Sequence, residues 1–251
     1  MKIFQSKNNV FKTPSHLFQT VWKPNLINGM IFWGNNDKKN IVTENNKVLK
    51  WKDISGCLNN GTQTNLNIAP VFKENITNGH NALYFENNNN IEIVLKLNHF
   101  TVITVLNIVN NSFLYEFSDS TISNTGFFIS GDDYDSIATS KYGYGISTRK
   151  NTLNDHWLSD GNDYKMINHQ YGGTHYSHNL FINNNYQSLS YQNDDDPGLL
   201  LADDIFRIGT KGDGTDGIVG YVYELLIYDK ALDLQERTKV ANYLNTKYSM
   251  F

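Results

Sequence analysis

Apolar residues along this chain come in runs of four to nine, many alternating with polar ones, and clusters of Asn, Gly and Asp separate the runs. Alternation with period two turns one side of a run toward a core and the other toward solvent, as in antiparallel strands. The pattern predicts strands over 82–85, 91–95, 100–108, 113–117, 126–130, 180–182, 205–208 and 221–228. Only one stretch has a helical period. Asp233 precedes Leu234 and is followed three residues on by Glu236, a capping-box variant; Arg237, Val240, Ala241, Leu244 and Tyr248 then form one stripe. So narrow a stripe needs a single partner surface, which a sheet supplies. The predicted fold class is all-β: a two-sheet antiparallel sandwich with one C-terminal amphipathic helix.

Residues 1–28 are polar, contain Pro14 and Pro24 and show no sustained period, which predicts an extended N-terminal arm; 29–251 then form a single domain. Segment 131–178, rich in Tyr, Gly, Asp and His with weak alternation, is expected to hold the long loops.

The composition narrows the partners. A net charge of −4 and a pI near 5.9 give no basic field for phosphates, so nucleic acid is not an expected partner. No apolar span reaches membrane thickness, and the N-terminus lacks the apolar core of an export signal, so neither membrane insertion nor secretion is expected. Cys57, the single cysteine, cannot form an intrachain disulfide and has no ligand cluster around it. The 36 asparagines, with tracts such as ENNNN, read first as AT-rich codon usage.

Three blocks carry a family resemblance. The C-terminal VYELLIYDKALDLQERTKVANYLNTKY, with Glu224, Ile227, Tyr228, Leu232, Glu236, Arg237, Val240, Tyr243, Leu244, Lys247 and Tyr248, resembles the closing strand and helix of laminin-G-like jelly-roll domains in the concanavalin A-like lectin/glucanase superfamily. VLKWKDISGCLNNGTQ, with Trp51, Asp53, Ser55, Gly56, Asn59, Asn60 and Gln63, is similar to an N-terminal block of that family. So is the stretch from Pro70 to Phe85, through Asn78, Gly79, Ala82 and Leu83. The resemblance implies a concanavalin A-like jelly roll whose last strand is followed by a helix packed on the sandwich. FWGNND and the Glu86–Asn90 stretch depart from the family by replacing aspartate-rich segments.

Glycan hydrolysis on this fold needs two carboxylates on one sheet face. The compact E-x-D-x-x-E strand motif of the glucanase relatives is absent, and Glu116 with Asp119 or Asp132 with Asp133 has the wrong spacing, so the chain is not expected to be an enzyme. Glu224 reads as a structural strand residue. GTKGDGTDG runs into a strand and reads as a hairpin, not a phosphate loop. Its Asp213 and Asp216, with Asp194 and Asp195 of NDDDPG, are the candidate Ca2+ ligands, although solvated turns explain the same residues and no other cofactor is expected. His169, His175 and His178 could gather three imidazoles but lack a carboxylate partner. Tyr142, Tyr144, Trp157, Tyr164, Tyr171 and Tyr176 lie among Asn, Asp and Gly, a mixture suited to stacking on and hydrogen-bonding a glycan, or to packing loops on the sheet.

These readings converge on a non-catalytic recognition or structural module, expected to be a phage or viral virion protein assembled in host cytoplasm. As an adhesin it would bind host surface glycans; as a capsid or tail decoration protein it would bind other virion proteins, and a homo-oligomer fits either role. A secreted or cell-surface bacterial lectin is the alternative, and a glycoside hydrolase a more distant one.

Overall fold

The computed structural model describes residues 22–250 except 98, 110–112, 120–121, 131–135, 142–143, 150–163, 173–177, 188–189, 192–204, 211–213 and 216. Its first half contains β1 (Met30–Asn35), β2 (Ile41–Glu44), β3 (Lys47–Trp51), β4 (Gly61–Thr62), β5 (Val71–Thr77), β6 (His80–Phe85), β7 (Ile91–Val94), β8 (Phe100–Ile108) and β9 (Phe113–Asp119). The second contains β10 (Ile122–Ser130), β11 (Ser136–Lys141), β12 (Tyr144–Arg149), β13 (Lys165–Tyr171), β14 (His178–Ile182), β15 (Asn185–Gln187), β16 (Ser190–Tyr191), β17 (Ile205–Ile208), β18 (Gly220–Tyr228) and α1 (Leu234–Tyr248).

The strands pair antiparallel and form two layers. One runs β18–β8–β13–β14–β15, with β6 and β1 sharing the other edge of β18: Val222 opposes Leu83, and Asn35 opposes Glu224. The other runs β2–β3–β4–β7–β17–β9–β10–β11–β12–β16. β5 pairs with β6 and touches β3 at Lys47–Val71, joining the layers at one edge. The fold is the expected all-β sandwich with a single C-terminal helix.

Segment 131–178 departs from the expectation of long loops. β11, β12 and β13 lie within it, and β13 pairs with β8 along all seven of its residues. Its sequence, KMINHQY, hides the strand because both faces are buried and both carry polar groups, which blurs the alternation.

Alternate residues of the first layer enter two cores. Val102, Leu106, Ile108, Ile167, Leu225 and Ile227 face the second layer, where they meet Ile91, Ile93, Tyr115, Phe117, Phe206 and Ile208. Ile103, Val105, Met166, Tyr223, Leu226 and Tyr228 face outward and are covered by Val240, Ala241, Leu244 and Tyr248 of the helix. Each fully buried large apolar side chain contributes roughly 1.5–3 kcal/mol, so both faces of the layer are stabilised by burial. That accounts for the nearly unbroken apolar runs of β8 and β18.

The capping box at α1 is present. Asp233 Oδ1 accepts from the Glu236 N–H at 2.9 Å, and Glu236 Oε2 accepts from the Asp233 N–H at 3.2 Å. Arg237, at the edge of the stripe, lies over the Phe181 ring of β14 at 3.7 Å.

Asparagine has a structural use that codon bias does not describe. Of nine non-glycine residues at positive φ among the described residues, seven are Asn: Asn45, Asn46, Asn75, Asn78, Asn87, Asn183 and Asn184. Asn45–Asn46, Asn78–Gly79 and Asn183–Asn184 turn the β2–β3, β5–β6 and β14–β15 hairpins, with both turn residues left-handed in each. Asn tolerates that conformation better than other side-chain-bearing residues.

Of the segment read as an arm, the described residues 22–28 pack on the domain. Pro24–Leu26 makes one 3₁₀ turn, Pro24 and Ile27 are buried, and the Pro24 carbonyl accepts from the Tyr228 hydroxyl at 3.3 Å.

Candidate functional site

The motif residues build a framework. β18 is bulged between Val222 and Glu224, which places consecutive side chains, Tyr223 and Glu224, on the helix side. Glu224 is fully buried there and its carboxylate has three donors: Trp33 Nε1 at 2.6 Å, Lys247 Nζ at 2.7 Å and Tyr248 hydroxyl at 2.7 Å. A buried carboxylate is costly unless so partnered, and the network ties β1 and the last helical turn to β18. Glu224 thus has the structural role read from its strand.

Asp53 holds the loop after β3 in a similar way. Oδ1 accepts from Trp33 N at 2.9 Å and Ser55 N at 2.8 Å, while Oδ2 accepts from Ser55 Oγ at 2.8 Å and Asn59 N at 3.1 Å. Asn59 Nδ2 donates to Ile31 O at 2.8 Å, and Asn60 Oδ1 accepts from Asp53 N at 3.1 Å. The W-x-D-x-S-G-x-x-N block is therefore a loop staple.

The outer face of the second layer holds a carboxylate pair that spacing along the sequence did not reveal, because its members lie on different strands. Arg207 of β17 opposes Glu92 of β7 and Glu116 of β9. Its guanidinium donates to Glu92 Oε1 at 2.7 and 3.0 Å and to Glu116 Oε1 at 2.7 Å. The guanidinium occupies the space between the carboxylates, where a scissile glycosidic bond would have to lie. The arrangement is an ion-pair ladder.

Two of the three histidines singled out by spacing do meet. His169 of β13 and His178 of β14 stack with centroids 5.2 Å apart, and His169 Nε2 lies 2.9 Å from His178 Nδ1. His169 Nδ1 lies 2.5 Å from the Tyr115 hydroxyl. Both rings are buried among Phe100, Tyr115 and Tyr171. Burial, and then the neighbouring His178, holds the His169 pKa well below the ordinary histidine value, and burial pushes Tyr115 upward. The nitrogens face one another at hydrogen-bond distance, an arrangement suited to a neutral chain of rings. His175 lies outside the described residues. Among the described residues no three His, Cys, Asp or Glu side chains gather to hold a metal.

Of the six aromatic candidates, the side chains of Tyr164 and Tyr171 are described, and both are buried. Tyr171 is buried against Phe100 and His178. Tyr164 is buried against Tyr223 and Tyr248, donates to Thr77 O at 2.6 Å, and is pushed up to about 12 mainly by burial. Neither ring offers a free face to a sugar in this arrangement. Tyr164 immediately precedes β13 and Tyr171 ends it, and the residues of that strand alternate between two packed faces. Tyr144 begins β12, and Tyr142, Trp157 and Tyr176 lie outside the described residues, as do Asp194, Asp195, Asp213 and Asp216.

An open recess lies beside the last helix. It lies between Trp22 and the solvent side of α1, has a volume of about 440 Å³, and is lined by Trp22, Lys239, Asn242, Tyr243, Thr246 and Lys247. Trp22 and Tyr243 meet edge to face at 6.2 Å. Burial, then the charges of Glu224 and Asp37, raises the Tyr243 pKa. The helical period placed Lys239, Asn242 and Lys247 off the core stripe, but Trp22 was assigned to the arm, so the sequence did not bring them together.

No family model matches the chain, and no curated protein matches it. Solved structures do. The chain superposes on the binding domain of Paraclostridial Mosquitocidal Protein 1 with a TM-score of 0.58 at 15% identity, covering 88% of this chain and 53% of that one. Domain 4 of AbnA, a GH43 extracellular arabinanase from Geobacillus stearothermophilus solved with arabinotriose, gives a TM-score of 0.55 at 13% identity, covering 84% and 98%. The receptor binding domain of botulinum neurotoxin C/D mosaic serotype gives 0.55 at 12%, covering 86% and 51%. This chain thus spans about half the length of the two toxin domains and nearly all of the arabinanase domain. The likeness is one of fold.

Proposed function

We propose that this chain is a non-catalytic recognition module of the laminin-G-like, concanavalin A-like type, whose ligands are glycans on a host surface. The supporting observation is the shared fold: the similar structures include a toxin binding domain, a receptor binding domain, and an arabinanase domain solved with a trisaccharide. The chemistry agrees with this reading. Glu224 and the Glu92–Arg207–Glu116 ladder are committed to ion pairs, not left as an acid and base facing a cleft.

The finer reading is a phage or viral virion protein, an adhesin or a capsid or tail decoration, with asparagine-rich, AT-biased coding as its support. A secreted bacterial lectin is the alternative. Tyr142, Tyr144, Trp157 and Tyr176 are the proposed contacts, and Asp194, Asp195, Asp213 and Asp216 the proposed Ca2+ ligands.

A glycan array with and without Ca2+, run beside a reducing-end assay on mixed polysaccharides, tests the module. Glycan retention without turnover is expected; turnover lost on Glu116→Gln would overturn it. Co-purification with assembled particles tests the virion reading, and a protein found only free of particles rejects it.

A further inference from the structure

The Phe181 ring of β14 gathers three side chains on the helix side of the first layer. The Arg237 guanidinium of α1 lies over it at 3.7 Å, the Tyr186 ring of β15 meets it at 5.5 Å, and Asn168 of β13 is its register partner. We infer that this patch binds the oxyanion group, carboxylate or sulfate, of an acidic sugar. The inference rests on the recognition-module reading and gives the module a ligand class at a place away from the proposed loop aromatics.

The guanidinium decides the class. Arg207 has two carboxylate partners, whereas the Arg237 side chain makes no hydrogen bond or ion pair among the described residues. Asp233, one turn earlier, gives Oδ1 to the Glu236 N–H, and the Glu236 oxygens are taken by Lys230 and the Asp233 N–H. Burial, the larger influence, lowers the Arg237 pKa, and the Asp233 charge offsets it only in part. Asn168 does not supply the missing acceptor, since its amide oxygen is buried without a hydrogen bond. A cation held on an aromatic ring and partly stripped of water is costly without a counter-ion, and an anion at its open edge offsets that cost. Nε is buried, so the terminal nitrogens form the edge that a ligand meets.

Tyr186 supplies the contact to the sugar ring. It keeps 59% exposure, which leaves ring surface for the apolar side of a pyranose. Guanidinium and tyrosine touch the same phenylalanine, so they stand no farther apart than the sum of 3.7 and 5.5 Å, within reach of one monosaccharide and its charged substituent. A neutral sugar would use Tyr186 and leave Arg237 unpaired.

The test is an NMR titration of the full chain with methyl β-D-glucuronide, methyl β-D-glucoside sulfated at its primary hydroxyl, and the neutral methyl β-D-glucoside. Saturation transfer to the ligand gives the midpoints. The Nε–H resonance of Arg237, one of three arginines, gives the location and is assigned by its loss in Arg237→Lys. The acidic sugars should saturate on the order of millimolar and shift that resonance, with the neutral glucoside about tenfold weaker. A response to only one acidic sugar identifies the oxyanion and upholds the site. Arg237→Gln should bring the sugars to parity, and Tyr186→Ala, at an exposed position, should weaken them all with an unchanged melting temperature. The site is overturned if the Arg237 Nε–H does not move, if the preference survives Arg237→Gln, or if Tyr186→Ala leaves the midpoints unchanged. Inorganic sulfate or triglutamate bound as tightly as the acidic sugars overturns the sugar as ligand. Array glycans retained equally by wild type, Arg237→Gln and Tyr186→Ala would leave the module standing and remove this site alone.

Discussion

Glu224 and His169 are both fully buried, one beneath the helix and the other between the layers, yet their surroundings solve opposite problems. Glu224 carries a charge and is met by three donors, including a lysine whose side chain retains 25% exposure. His169 is surrounded by aromatic rings and shares its polar contacts with His178 and Tyr115, which bring no compensating negative charge. Where donors match the charge, the buried ion locks elements together. Where they do not, the group stays neutral and its stability becomes a function of pH.

The largest expected effect lies on the charged side. Glu224→Ala leaves Trp33, Lys247 and Tyr248 without their acceptor and should cost about 3–5 kcal/mol, read as the urea-unfolding free energy. A loss below about 1 kcal/mol would mean that the network behaves like a surface ion pair and that the contrast with His169 fails.

Tyr171→Ala probes the neutral side. Emptying the ring position between Phe100 and His178 should cost about 3–4 kcal/mol. A variant that instead unfolds like wild type but loses glycan binding would return Tyr171 to the surface role suggested by its sequence context.

The pH response separates the two networks more finely. The His169 pKa is depressed in the folded state, so its contribution is complete above the unfolded value near 6.5 and is lost as pH falls. Between pH 6.5 and 5, unfolding free energy should drop by about 1.4 kcal/mol per pH unit from this residue. His169→Gln should flatten that slope. His80, lowered chiefly by burial and secondly by Lys247, acts in the same direction, so His80→Gln serves as the control. An unchanged slope in His169→Gln would place the acid sensitivity elsewhere.

The smallest effect belongs to the helix start. Asp233→Ala removes one capping acceptor and should cost about 1 kcal/mol in thermal unfolding. Because Lys247 and Tyr248 sit at the other end of α1, the Glu224 network should hold, and the cost should add to that of other surface substitutions.

The helix was legible in sequence because its signals are local: a cap, an N3 glutamate and a stripe of period 3.6 lie within sixteen residues. β8 and β17 were equally legible as apolar runs with the bounds that the structure gives. β13 was not, since its Asn168 and Gln170 face the helix side while His169 faces the other core, and hydropathy alone cannot distinguish a polar residue in solvent from a buried one. Tyr164 and Tyr171 were misplaced for that reason, and Trp22 because an aperiodic segment gives no signal of where it will dock.

Strand order explains the remainder. Local periodicity, turn chemistry and capping determined the all-β class and the closing helix, since each depends on residues a few positions apart. Only the tertiary structure decided which acids share Arg207, which histidines touch, and that Trp22 faces Tyr243. The Arg207–Glu116, His169–His178 and Trp22–Tyr243 meetings span 91, 9 and 221 positions, separations that no local pattern encodes. The first two arise because antiparallel pairing sets distant residues side by side, and the third because residues 22–28 pack on the domain.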